Sequence, residues 1–231
     1  MQKIGSGQNK SASVNLTYVA VMAASLTVLK LALSFIPNVE AVTLLIICYA
    51  SAFGARRTMT ATMIFCTVEI LLYGFGSWVI LYYIYWNALA FTAALCLKKP
   101  SPVVAVVVAV VFTVFFGVLS TAIDVMFASV NGVPKSELGY LFSAYYIRGA
   151  WFYIVHVVSN FCIVTVLYLP VTVTLYKILG KDISAIKSLS LIRKRFSKKR
   201  DSKQSDSKRL PRNKSGLTEN LQHDIQNKDG F

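Results

Sequence analysis

The chain predicts an all-α integral membrane protein, a six-transmembrane-helix bundle with both termini cytoplasmic, and three observations carry that expectation. First, 55% of its 231 residues are hydrophobic and 15% charged, with mean hydropathy +0.58. That is too apolar for a soluble domain of this size. Second, the apolar runs are helix-length, about 20 residues where complete, and lack the ten-residue alternation of an outer-membrane barrel. Third, Lys and Arg fall in every other connection between the runs, as they do where basic loops stay on the cytoplasmic side.

The runs are Leu16 to Ile36, Ala41 to Phe53, Thr58 to Tyr73, Trp78 to Leu97, Val103 to Ala128 and Leu141 to Leu179. The second is short for a hydrocarbon core of about 30 Å, and the sixth is long enough to project beyond it. An alternative takes Ala41 to Tyr73 as one broken or re-entrant element, giving five spans. With six spans, the inner stretches hold Lys3 and Lys10, Arg56 and Arg57, Lys98 and Lys99, and the basic tail. Of the outer connections, one balances Lys135 with Glu137, and Pro37 to Glu40 and Gly74 to Ser77 have no basic residue.

The organisation is a polar lead over 1–13, a membrane domain over 14–180 and a basic tail over 181–231. The lead, MQKIGSGQNKSASVN, has no short apolar region followed by a cleavage site, so no cleaved signal peptide is expected. Most of the formal net charge of +14 belongs to the tail, which opens with IRKRFSKKR (Ile192 to Arg200). Its composition cannot bury enough apolar surface to fold alone. Beside a membrane helix the run reads as a topology determinant in contact with anionic lipid, not as a nucleic-acid site. Cys48, Cys66, Cys96 and Cys162 lie inside apolar runs without metal-ligand spacing and read as core residues. No metal or cofactor is expected.

Four charged residues, Lys30, Glu69, Asp124 and Arg148, sit inside separate apolar runs. A charge at membrane depth costs about 2.5 to 3.5 kcal/mol on insertion scales, so each is a candidate functional residue, and together they suggest one shared polar site. Lys30 shares a helical face with Ala23, Thr27 and Ser34, and Glu69 shares one with Thr62, Cys66 and Tyr73. Asp124 follows Thr113, Gly117 and Ser120, while Arg148, His156, Ser159 and Asn160 fall within a third of the circumference of the sixth run. Polar faces on four helices imply a polar bundle interior. Structural pairing of Lys30 with Glu69, and of Asp124 with Arg148, is the plainer reading and is compatible with ligand binding.

The charges gather in the outer half, beside connections containing Asn38, Glu40, Trp78 and Asn131. A proton or ion path would leave ionisable groups through the whole thickness, so an outward-opening pocket is the better description. The fourth run adds Trp78, Tyr82, Tyr83, Tyr85, Trp86 and Asn87. Trp78 suits an interfacial belt. Deeper in the helix, Tyr85 and Trp86 offer rigid ring faces with polar atoms that need partners, as a small-molecule pocket does.

The segments IPNVEAVTLLIICYASAFGARR (Ile36 to Arg57) and VEILLYGFGSWVILYYIYW (Val68 to Trp86) resemble an uncharacterised branch of the substrate-binding S components of energy-coupling factor (ECF) vitamin transporters. The resemblance spans roughly residues 14 to 180 and excludes the tail. It implies a non-enzymatic subunit of a prokaryotic cell membrane that binds a vitamin or related micronutrient from outside. It also implies partners: a transmembrane T subunit and two cytoplasmic ATPases. Ala20 and Ala24 match the family's Ala-x-x-x-Ala docking pattern, and small residues four apart permit close helix approach.

No GxxxxGK[ST] loop is present, so energy must come from a partner. Gly74 to Gly76 reads equally as a flexible gate over the pocket or as a plain hairpin turn. Two other classes remain open: a membrane-embedded enzyme using Asp124, His156 or Glu69 as acid or base, and a stand-alone secondary transporter. The first lacks a nucleophile or paired carboxylates at readable spacing. The second lacks a repeat of broken helices.

Overall fold

The structure, a computed structural model, describes residues 5–37 and 39–182, with side chains from residue 12 onward. The predicted binding residue Asn38, the start of the polar lead with Lys3, and the basic tail from residue 183, expected not to fold alone, lie outside the described residues.

Among the described residues there are six α-helices and no strand: α1 (Gly5–Leu33), α2 (Val42–Phe53), α3 (Ala55–Tyr73), α4 (Ser77–Cys96), α5 (Pro102–Val130) and α6 (Leu138–Ile178). Each overlaps a predicted apolar run, although α1 ends at Leu33, three residues short of the expected Ile36. Four stretches are long and apolar enough to cross a membrane: Ala12–Leu33, Ser77–Cys96, Pro102–Val130 and Lys135–Ile178. Large apolar side chains cover the outside of the bundle, with Phe35, Leu71, Phe115, Val130, Trp151 and Val166 all exposed. Such a surface belongs against hydrocarbon, and the pattern is that of a membrane protein.

The two remaining helices have local explanations. α2 has 12 residues, nine of them buried, and at 1.5 Å per residue is about 18 Å long. It is apolar all round because it packs against every other α-helix, which is how a helix with no polar face is used. α3 carries Arg56, Arg57, Glu69 and four threonines and is the least apolar of the later helices. Gly54 alone separates α2 from α3, with φ 83°, a conformation that strains any residue bearing a Cβ. At the start of α5, Ser101 accepts from the Val104 N–H and Pro102 opens the helix, so the sequence KKPSP both ends α4 and starts its successor.

Side-chain pairs fix the helix directions. Asn15 meets Arg57 and Lys30 meets Glu69, so α1 and α3 run parallel. Thr67 meets Tyr83 and Thr62 meets Asn87, which sets α4 antiparallel to α3. Tyr85 meets Phe116 and Ser77 meets Asp124, while Phe116 meets His156 and Thr121 meets Tyr153. α5 and α6 therefore continue the alternation. α2 follows the direction of α6, since Glu40, just before α2, pairs with His156 and Ser51 with Tyr176. The C-terminal ends of α1, α3 and α5 thus share one end of the bundle with the N-terminal ends of α2, α4 and α6.

One cysteine expectation needs correcting. Cys48 and Cys66 are buried, but Cys96 and Cys162 are exposed. A thiol behaves as a small hydrophobe, and here the outer surface is as apolar as the core, so apolar surroundings in sequence do not distinguish the two locations.

Candidate functional site

The shared end of the bundle holds two cavities, and they divide Lys30, Glu69, Asp124 and Arg148 between them. The expectation of one shared site is corrected on this point. Lys30 and Glu69 line the first cavity, whereas Asp124 and Arg148 line the second. Facing angles along each helix are locally encoded, but the helix packing decides which faces converge.

The first cavity, about 370 Å³, is walled by α1, the connection that follows it, α3 and the start of α4. Glu69 is fully buried, and its Oε2 lies 2.6 Å from Lys30 Nζ. Its other oxygen has no partner among the described residues, so Lys30 is what stabilises the buried carboxylate. The same ammonium donates to the Tyr82 hydroxyl at 2.9 Å and lies 4.1 Å from that ring's centroid. Trp78, Tyr82 and Trp86 recur every four residues and so stack along one face of α4. Their rings meet edge to face, at centroid distances of 5.2 Å and 5.9 Å. Tyr73 completes the wall near the mouth, half exposed.

Glu40 links this cavity to the bundle interior. Its carboxylate lines the cavity, and Oε1 lies 3.1 Å from Nε2 of the buried His156. His156 meets Phe116 edge-on at 4.8 Å, and Phe116 meets Tyr85 at 5.0 Å. Tyr85 in turn packs on Trp86 at 4.7 Å. Asn160, one turn deeper, donates to the His156 carbonyl. Four predicted binding residues, Tyr85, Trp86, His156 and Asn160, are therefore fully buried inward of the cavity wall. Trp86 Nε1, His156 Nδ1 and Asn160 Oδ1 make no hydrogen bond to any described residue. Buried polar atoms are normally satisfied, so their concentration here marks a polar cluster within the core behind the cavity wall.

The second cavity, about 980 Å³, lies between the α3–α4 connection, the end of α5 and the start of α6. Asp124 and Arg148 both face it but form no ion pair. Asp124 instead accepts from the Ser77 hydroxyl at 2.6 Å, and the Arg148 guanidinium lies 5.3 Å from the Tyr145 ring centroid. The expected structural pairing thus holds for Lys30 with Glu69 and fails for Asp124 with Arg148. Gly74, with φ 81°, and the glycine two residues on shape the chain between α3 and α4. A Cβ on Gly76 would stand 2.8 Å from the Trp78 ring. Phe75 and Gly76 border the second cavity, while Trp78 borders the first.

Sequence reasoning missed Ser77, which holds Asp124, and Tyr153, whose ring lies against Gly117 and Gly149. A Cβ at either glycine would approach that ring to 2.8 Å or less. Glycines on two facing helices were the available signal for such a slot. Ala20 and Ala24 are exposed on α1. With Leu16, Thr27, Ile64 and Val68 they line an apolar groove of about 440 Å³ between α1 and α3. Among the described residues, no group of three or more His, Cys, Asp or Glu side chains could hold a metal ion. Comparison with protein-family models, curated proteins and solved structures finds no match.

Proposed function

We propose that this chain is the substrate-binding S component of an ECF-type transporter for a vitamin or related micronutrient. In this reading it crosses the cell membrane six times with both termini inside. It docks on a T subunit energised by two ATPases. The observation that carries the reading is the 370 Å³ cavity at one end of the bundle, with an ion pair, a second carboxylate and an aromatic wall. That volume lies within the range of about 300 to 1,000 Å³ typical of small-molecule sites, which combine apolar walls with a few placed polar groups.

Orientation is supported by charge. Arg56 and Arg57 open α3, and Lys98 and Lys99 precede α5. Both pairs lie at the end opposite the cavities, and basic connections stay inside, which turns the cavities outward. The alternating helix directions fit six crossings, with the short α2 shielded by its neighbours instead of facing lipid alone. The groove at Ala20 and Ala24 offers a close-packing face away from the cavity, suited to a partner helix.

The three candidate acid–base groups of an enzyme do not converge. Glu69 is held by Lys30, His156 by Glu40, and Asp124 lines the other cavity. A binding subunit needs no such convergence. Purification from native membranes through a tag on this chain tests the proposal. The expected result is recovery of a T subunit and two ATPases, with a small molecule retained in native mass spectrometry. Recovery of the folded chain with neither would count against it.

A further inference from the structure

The charge balance of the smaller cavity points to a class of ligand. Among the described residues, the ionisable groups lining it are Lys30, Glu40, Glu69, Tyr73 and Tyr82. Lys30 and Glu69 neutralise each other at 2.6 Å, and the Tyr82 hydroxyl accepts a hydrogen bond from the same ammonium. The Lys30 charge is therefore already compensated within the protein, by a fully buried carboxylate whose desolvation it offsets.

Glu40 is not balanced in the same way. Its partner is His156 Nε2 at 3.1 Å, and His156 Nδ1 is buried with no hydrogen-bond partner among the described residues. With Nε2 protonated, the ring donates to Glu40 and packs edge-on against Phe116. Of the charged side chains that line the cavity, two carboxylates, Glu40 and Glu69, thus face one ammonium, Lys30. Trp78 stands on the same cavity, its ring packed close against Gly76. An indole face is the best aromatic partner for a cation.

We infer that the smaller cavity takes a cationic, ring-containing ligand, whose positive charge lies between the Glu40 carboxylate and the Trp78 ring. The inference rests on the binding-subunit reading above and adds the charge of the substrate to it. Three probes of similar size test it on the full chain in detergent: benzyltrimethylammonium, benzyl alcohol and benzoate, each titrated by calorimetry. The cation should bind about tenfold or more tightly than the other two, the scale of one charge-assisted contact. Glu40→Gln keeps an acceptor for the His156 N–H and should remove that preference. Glu40→Asp, which keeps the charge, should retain the preference even if Gln disturbs the fold.

Preference for benzoate, equal affinity for all three, or an undiminished cation preference in folded Glu40→Gln would overturn the cationic assignment and leave the chain a binding subunit. Failure of every probe to bind at millimolar concentration would likewise overturn the cationic assignment, while the binding-subunit reading stands or falls on the co-purification above.

Discussion

Replacing Lys30 with methionine leaves the Glu69 carboxylate fully buried with no counter-charge. Glu69 is 0% exposed and Lys30 17% exposed at the side chain, so solvent screens one partner only slightly and the other not at all. Removing one member of a buried pair costs about 3 to 5 kcal/mol, because the remaining charge keeps its desolvation penalty and loses its compensation. For a chain of this length about 2 to 4 °C accompanies each kcal/mol, so Tm should fall by about 6 to 20 °C. The double variant Lys30→Met with Glu69→Leu removes both charges and should recover most of the loss, since apolar replacement of a buried pair is often neutral or better. Thermal unfolding in detergent, followed by retention of the monodisperse peak on size exclusion, measures all three proteins. A Lys30→Met protein within about 2 °C of the parent would refute the reasoning and place the pair among screened surface contacts. A double variant no more stable than Lys30→Met would refute the pairing itself.

Other substitutions probe separate contacts. Asn87→Leu removes the Oδ1 that accepts from the buried Thr62 hydroxyl at 2.8 Å and leaves that hydroxyl the Met59 carbonyl at 2.9 Å; a loss of about 0.5 to 1.5 kcal/mol in unfolding free energy, the net worth of one hydrogen bond, is expected. Gly149→Ala places a Cβ 2.6 Å from the Tyr153 ring and should cost about 1 to 3 kcal/mol by overpacking, with Tyr153→Leu in the same chain relieving part of the loss. Replacing Ala20 and Ala24 together with leucine fills the α1–α3 groove; under the proposed function, ligand affinity should persist while co-purification of a T subunit is lost.

The helices were legible because each is a long apolar run ended by glycine, proline or paired basic residues, signals read within a few positions. α1 starts well before its run, at Gly5, since polar residues do not by themselves stop a helix. The stripe containing Lys30 and the stripe containing Glu69 were legible for the same reason: a period of 3.6 residues fixes which side chains share a face. The aromatic ladder Trp78, Tyr82 and Trp86 follows from four-residue spacing alone. Burial was less legible, because an apolar side chain satisfies lipid as well as core, as Cys96 and Cys162 illustrate beside Cys48 and Cys66.

The amino-acid sequence by itself determined the all-helical class, the helix positions, and the charged and aromatic faces, all of which depend on residues within a turn or two of one another. Tertiary structure alone decided which faces meet. It joined Lys30 to Tyr82 across 52 positions and Glu40 to His156 across 116. It also separated Asp124 from Arg148 and split four charges between two cavities. Those outcomes depend on helix direction and on which helices become neighbours. Short α2 sits at the centre because packing against five other helices buries most of its predominantly apolar surface, and no local pattern specifies its neighbours.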